Sequence, residues 1–166
     1  MKRQVFFSFH YSNDNWRASQ VRNMGRVSGE STFSDNEWEE VKLKSDAMIE
    51  SWIDNQMAKR SCVVVLIGEN TAGRKWINYE IKKAIELDKG IVGIYIHNLK
   101  DRFGNQNNQG RNPFDDFKLS RTGRLLSSYI RCYKSPFSTS NYVYEDIQSN
   151  MEELIEYAIS HRPSTW

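Results

Sequence analysis

Apolar residues fall along this chain in two rhythms, short unbroken runs and longer stretches in which they recur three or four positions apart. QVFFSF (residues 4–9), CVVVLI (62–67) and IVGIYI (91–96) are of the first kind. Runs this short, rich in β-branched and aromatic residues, fit inner strands of a parallel sheet buried on both faces. Thr32-Phe33 and YIRCY (129–133) supply weaker material for a second and a last strand. The second rhythm predicts four helices. Trp16, Val21, Met24 and Val27 mark one, begun by Asn13 or Asp14 as a cap, and Ile49, Trp52, Ile53 and Met57 mark the next, with Ser45 as N-cap. Ile77, Ile81, Ala84 and Ile85 define a third stripe with Gly90 as its C-cap, and Ile147, Met151, Leu154, Ile155, Ala158 and Ile159 a closing helix over about 142–160. A long polar loop over about 99–128 separates the last two strands and is expected to hold local structure. Strand and helix patterns alternate throughout, so the chain reads as α/β. The expected form is a parallel sheet of about five strands, order 2-1-3-4-5, with helices on both faces.

Composition narrows the class without naming a function. With 166 residues, 39% of them hydrophobic, the chain is expected to form one domain, residues 1–166, with a real core. A net charge of +2 does not announce nucleic acid or membrane. No apolar run has transmembrane length and no signal peptide is visible, so a cytoplasmic protein is expected. Cys62 and Cys132 sit among apolar neighbours and read as buried thiols, and no His/Cys spacing suggests a metal.

In an open α/β sheet the ligand crevice lies at the carboxyl ends of the strands, which here gathers His10 and Tyr11, Asp35, Trp76 and Glu80, and residues 98–112. Several uses of that edge are excluded. A phosphoacceptor would need an acidic pair where Phe9-His10 stand and an aspartate at the end of the third strand, where Gly68-Glu69 stand, and FHYSND has no glycine to cradle a phosphate. There is no G-x-S-x-G for a nucleophile, and His10, His97 and His161 show no ligand spacing. What remains is Glu80 in W-x-x-x-E, placed by the helical wheel roughly 85° from the apolar stripe, on its flank or open face. Taken alone, a glutamate in the early turns of a helix is explained by the helix dipole. His10 and Asp35 read equally well as caps, and Trp76 as a cover for the core edge.

The segments KRQVFFSFHYSND, FSDNEWEEVKLKSD, CVVVLIGENTAGRKWINYEI, IVGIYIHNLKDRFGNQ and GRNPFD, in this order between Lys2 and Asp115, resemble the TIR-like proteins of bacterial Thoeris antiphage defence. The resemblance implies a flavodoxin-like TIR fold and cleavage of NAD between nicotinamide and ribose. The ADP-ribose part becomes a cyclic or conjugated signal for a downstream effector. NAD is then the substrate, with no separate cofactor; a phage-derived trigger and a homo-oligomer are further expectations. Glu80 matches the catalytic glutamate of the family, and Phe9, His10, Tyr11, Asp35, Trp76 and Asn112 are the candidate substrate-binding residues. Phe9, Tyr11, Trp76 or Tyr79 would stack on a substrate ring. The loop carrying Asn112 would form a lid. One or two of the eight basic residues between Leu99 and Lys134, set against three acids, would meet the pyrophosphate. Two other readings stay open, a non-catalytic TIR assembly module and a nucleic-acid binder using the basic C-terminal third.

Overall fold

The computed structural model describes residues 3–31 and 43–166, with only the backbone of 28–31. Five parallel strands form one sheet in the order β2-β1-β3-β4-β5. They are β1 (Gln4–Ser8), β2 (Ser28–Ser31), β3 (Cys62–Ile67), β4 (Gly90–Tyr95) and β5 (Cys132–Tyr133). Four helices connect and cover them: α1 (Tyr11–Arg22), α2 (Asp46–Ala58), α3 (Lys75–Glu86) and α4 (Ser140–Ser160). This is the α/β class and the strand order that the hydrophobic pattern predicts.

Strand periodicity sorts the core into two layers. Phe7, Val64, Leu66, Val92 and Ile94 point to α1 and α4, where Ala18, Val21, Ile147 and Met151 receive them. Phe6, Val63, Val65, Ile67 and Ile91 point the other way, to Ile49, Ile53 and Met57 of α2 and Ile77 and Ile81 of α3. All six residues of β3 are buried because β3 has a strand on each side and helices on each face. Ser45 caps α2 as its sequence suggests, accepting a hydrogen bond from the Met48 amide at 3.4 Å.

Several boundaries differ from the sequence reading. Helix α1 begins at Tyr11 with His10 as its N-cap residue, so Asn13 and Asp14 lie inside it, Asp14 fully buried. Trp16 is largely exposed, whereas Val21, Met24 and Val27 are buried. Strand β2 occupies Ser28–Ser31, held by pairing with β1 rather than by its own apolar content. Thr32, Phe33 and Asp35 lie outside the described residues. After α3 it is Asp88, at φ 54°, that takes the left-handed position. Gly90 instead opens β4, where a Cβ would lie 2.8 Å from the backbone of Ala158 and Ile159. Its missing side chain is what lets the end of α4 dock there. Strand β5 is only two residues long, and the loop before it contains the short 3-10 turns Pro113–Asp116 and Leu126–Ser128. Among the described residues no helix is long and apolar enough to cross a membrane.

Candidate active site

The site follows from where β1 ends and α3 begins. In β1, Phe6 and Ser8 share a face, and Phe6 packs against the layer formed by α2 and α3. Ser8 is therefore directed at the first turns of α3, and its hydroxyl donates a hydrogen bond to Glu80 Oε2. Ser8 is fully buried and Glu80 is 5% exposed. The wheel places Glu80 on the flank of the stripe, but α2 closes that flank with Ile49 and Ile53, and the carboxyl faces a cavity rather than open solvent.

The cavity, about 280 Å³, is lined by Phe9, His10, Tyr11, Ser12, Ile49, Ile53, Arg74, Lys75, Trp76, Ile77 and Glu80. Its walls are mainly apolar and aromatic, with the one buried carboxyl as the acid among them. Phe9 and Tyr11 stack with centroids 6.2 Å apart. Trp76 meets Tyr79 edge to face at 5.8 Å, and the Lys75 ammonium lies 5.0 Å from the Trp76 ring. Lys75 is paired with Asp46 of α2. Such a chamber accommodates a flat ring with an attached sugar, and its aromatic surfaces favour stacking with a cationic ring.

Burial sets the electrostatics. Removal from water pushes the Glu80 carboxyl up to about 8, against which the Ser8 hydrogen bond acts in the opposite direction. His10 is shifted below its ordinary value, first by burial and then by the Arg74 guanidinium, and is neutral at pH 7. Its Nε2 lies 3.1 Å from Ser12 Oγ, and its buried Nδ1 has no hydrogen-bond partner among the described residues. Both groups thus stand ready to exchange hydrogen bonds with a ligand. Among the described residues, no cluster of three His, Cys, Asp or Glu side chains is disposed to hold a metal ion.

The structure gathers Phe9, His10, Tyr11, Trp76 and Glu80 around one cavity. It does not bring Asn112 there. The Asn112 side chain accepts from the Phe114 amide at 2.9 Å and caps the turn Pro113–Asp116, and no residue of the 99–128 loop lines the Glu80 cavity. The expected lid is not formed over Glu80; Gln109, Gly110 and Arg111 line an adjoining polar groove instead. Tyr79 also faces away, donating from its hydroxyl to Asp54 at 2.6 Å. Of the basic residues expected near a pyrophosphate, Arg111 pairs with Asp116, Arg102 lies over Phe103 and Arg131 over Tyr157. Ser8 and Arg74 are among the residues at the site that escape the sequence reading. Ser8 was legible in principle, since strand alternation puts it on the face of Phe6; Arg74 carried no pattern.

Comparisons with known proteins identify the family. The family model described as "Thoeris protein ThsB, TIR-like domain" matches residues 6–101, more than half of the chain and the part that holds most of β1, α3 and the cavity-lining residues. A Bacillus cereus (strain MSX-D12) protein named "Putative cyclic ADP-D-ribose synthase ThsB1" is 38% identical in an alignment of 136 residues that covers 78% of this chain and 71% of that relative. The chain belongs to the ThsB TIR-like family of Thoeris proteins.

Proposed function

We propose that this protein is an NAD-consuming enzyme of antiphage defence that cleaves the nicotinamide–ribose bond and forms a cyclic ADP-ribose-type signal for a partner effector. The observation that carries this reading is the buried Glu80 carboxyl, fixed by Ser8 in an aromatic cavity at the carboxyl edge of the sheet. The name of the Bacillus cereus relative supports the same chemistry. NAD enters as substrate, and no cofactor is invoked.

The roles follow from charge. Nicotinamide in NAD is a cationic leaving group, so the bond between ribose C1′ and the ring nitrogen breaks with both electrons going to the ring. Neutral nicotinamide departs, leaving an oxocarbenium-like ribose, as in glycoside hydrolysis. Ionised Glu80 would stabilise that cation and accept hydrogen bonds from the ribose hydroxyls. Phe9, Tyr11 and Trp76 would hold the ring by stacking, and neutral His10 would offer one hydrogen bond from the cavity wall. A hydroxyl of the same molecule bonding to C1′ closes a cyclic product as its O–H proton passes to Glu80 or to solvent, whereas water, losing a proton in the same way, yields ADP-ribose. The apolar walls favour the first outcome by limiting water.

Because the free enzyme's Glu80 titrates at about 8, kcat/KM for nicotinamide release should rise about tenfold per pH unit below that value and level off above it. Ser8→Ala removes the hydrogen bond that favours ionisation. It should move the profile to higher pH and lower the rate at pH 7 by about tenfold. The measurement is nicotinamide release from NAD between about pH 6 and 10, roughly two units either side of the midpoint. A profile that is flat over this range in both proteins, or absence of nicotinamide release at any pH, contradicts the reading.

A further inference from the structure

The Glu80 cavity is too small for the whole of a dinucleotide. At about 280 Å³ it lies just below the roughly 300–1,000 Å³ range of small-molecule pockets, enough for one ring and its sugar. Beside it lies a polar groove of about 570 Å³ between the turn after β3 and the loop after β4, lined by Glu69, Asn70, Gln109 and Arg111 among others. Arg74 is the residue that lines both spaces.

Three features fit Arg74 to a diphosphate at that junction. Its Nε donates to the Asn70 carbonyl at 3.1 Å, which anchors the guanidinium, while its terminal nitrogens make no hydrogen bond among the described residues. It has no carboxylate partner among the described residues, in contrast to Lys75, paired with Asp46, and Arg111, paired with Asp116. It is also close enough to His10, a wall of the cavity, to act on that ring's charge. A guanidinium held at one nitrogen and free at the others presents the fork that matches phosphate oxygens. The Glu69 carboxylate in the groove disfavours a phosphate further in, so the groove suits the uncharged sugar and base.

We propose that Arg74 is a specificity-determining residue, binding the diphosphate bridge so that the nicotinamide riboside half occupies the Glu80 cavity and the second nucleoside lies in the Glu69–Arg111 groove. This rests on the NAD reading above and adds to it that Arg74 makes the site one for a dinucleotide. Binding rather than turnover separates the two. Calorimetry on Glu80→Gln protein, in which consumption is slowed, gives the affinities of NAD and of nicotinamide riboside. The preference for NAD should fall about tenfold to a hundredfold when Arg74→Met is added, with partial recovery in Arg74→Lys. Arg74 is exposed, so the substitution leaves the core intact. An unchanged preference would overturn the role of Arg74 while leaving the NAD reading in place. No NAD binding to either wild-type or Glu80→Gln protein would overturn both.

Discussion

Glu80→Gln is expected to lower nicotinamide release from NAD by about 10²- to 10³-fold at pH 8 and to leave the chain folded. Glutamine keeps the shape of the side chain and can still accept the Ser8 hydrogen bond, so what is lost is the negative charge that opposes the developing cation. Stability should move the other way. The folded-state value of the carboxyl is raised from 4.5 to about 8, so its contribution to stability is fully present below about pH 4.5 and is lost as pH rises to about 8. The burial of an ion at high pH costs on the order of a few kcal/mol, and glutamine escapes that cost. Urea unfolding at about pH 4 and about pH 9, on either side of that window, checks this: wild type should lose stability between them, and Glu80→Gln should lose much less. A catalytically dead variant with higher stability at alkaline pH is the signature of a residue kept for chemistry at the expense of folding. A variant that is both unstable and inactive would instead point to a structural glutamate.

Arg17→Met is expected to cost about 3–5 kcal/mol of stability, the largest effect of any single substitution considered on the other face of the sheet. Arg17 is 1% exposed and holds Asp14, which is fully buried, at 3.1 Å. Its Nε also donates to the Leu99 carbonyl at 2.8 Å, and its Nη2 to the Asn105 carbonyl at 2.8 Å and to Asn107 Oδ1 at 3.0 Å. One guanidinium thus ties α1 to the start of the loop that goes on to form the polar groove. Burial already pushes the Asp14 carboxyl above its ordinary value despite Arg17, and its Oδ2 has no hydrogen-bond partner among the described residues. Without Arg17 that carboxyl must take up a proton or draw in water. It is seated directly against the Gly68 backbone, where its oxygen occupies the space that a Cβ would fill. Urea denaturation of the single variant and of Asp14→Asn/Arg17→Met tests this, and the double variant should recover part of the loss. A loss below about 1 kcal/mol would mean that the ion pair is replaceable by solvent.

The fold was largely legible because its strands declare themselves. The runs at 62–67 and 91–96 are apolar on both faces, which only an inner parallel strand explains, and Ser45 announced the start of α2 through its own hydroxyl. Legibility failed where structure is imposed from outside. Ser28–Ser31 has no apolar signal of its own and becomes a strand by pairing with β1, while Gly90 looks like a helix cap and serves instead as clearance for α4. At the site, the helical wheel gave the direction of Glu80 but could not show that α2 would wall off its flank. Asn112 sits close in sequence to the crevice, yet its amide is committed to capping a turn. Arg74 was invisible because an arginine ahead of a helix has no pattern; its meaning comes from lying between two cavities.

The central claim is that Glu80 drives NAD chemistry in the cell. The direct measurement is mass spectrometry of small molecules from cells expressing wild-type protein or Glu80→Gln, with and without phage. The account predicts a nucleotide product with the mass of a cyclic ADP-ribose isomer, accompanied by free nicotinamide, from wild type alone. Equal protection by both proteins with unchanged NAD pools would contradict it and leave the assembly-module reading in its place.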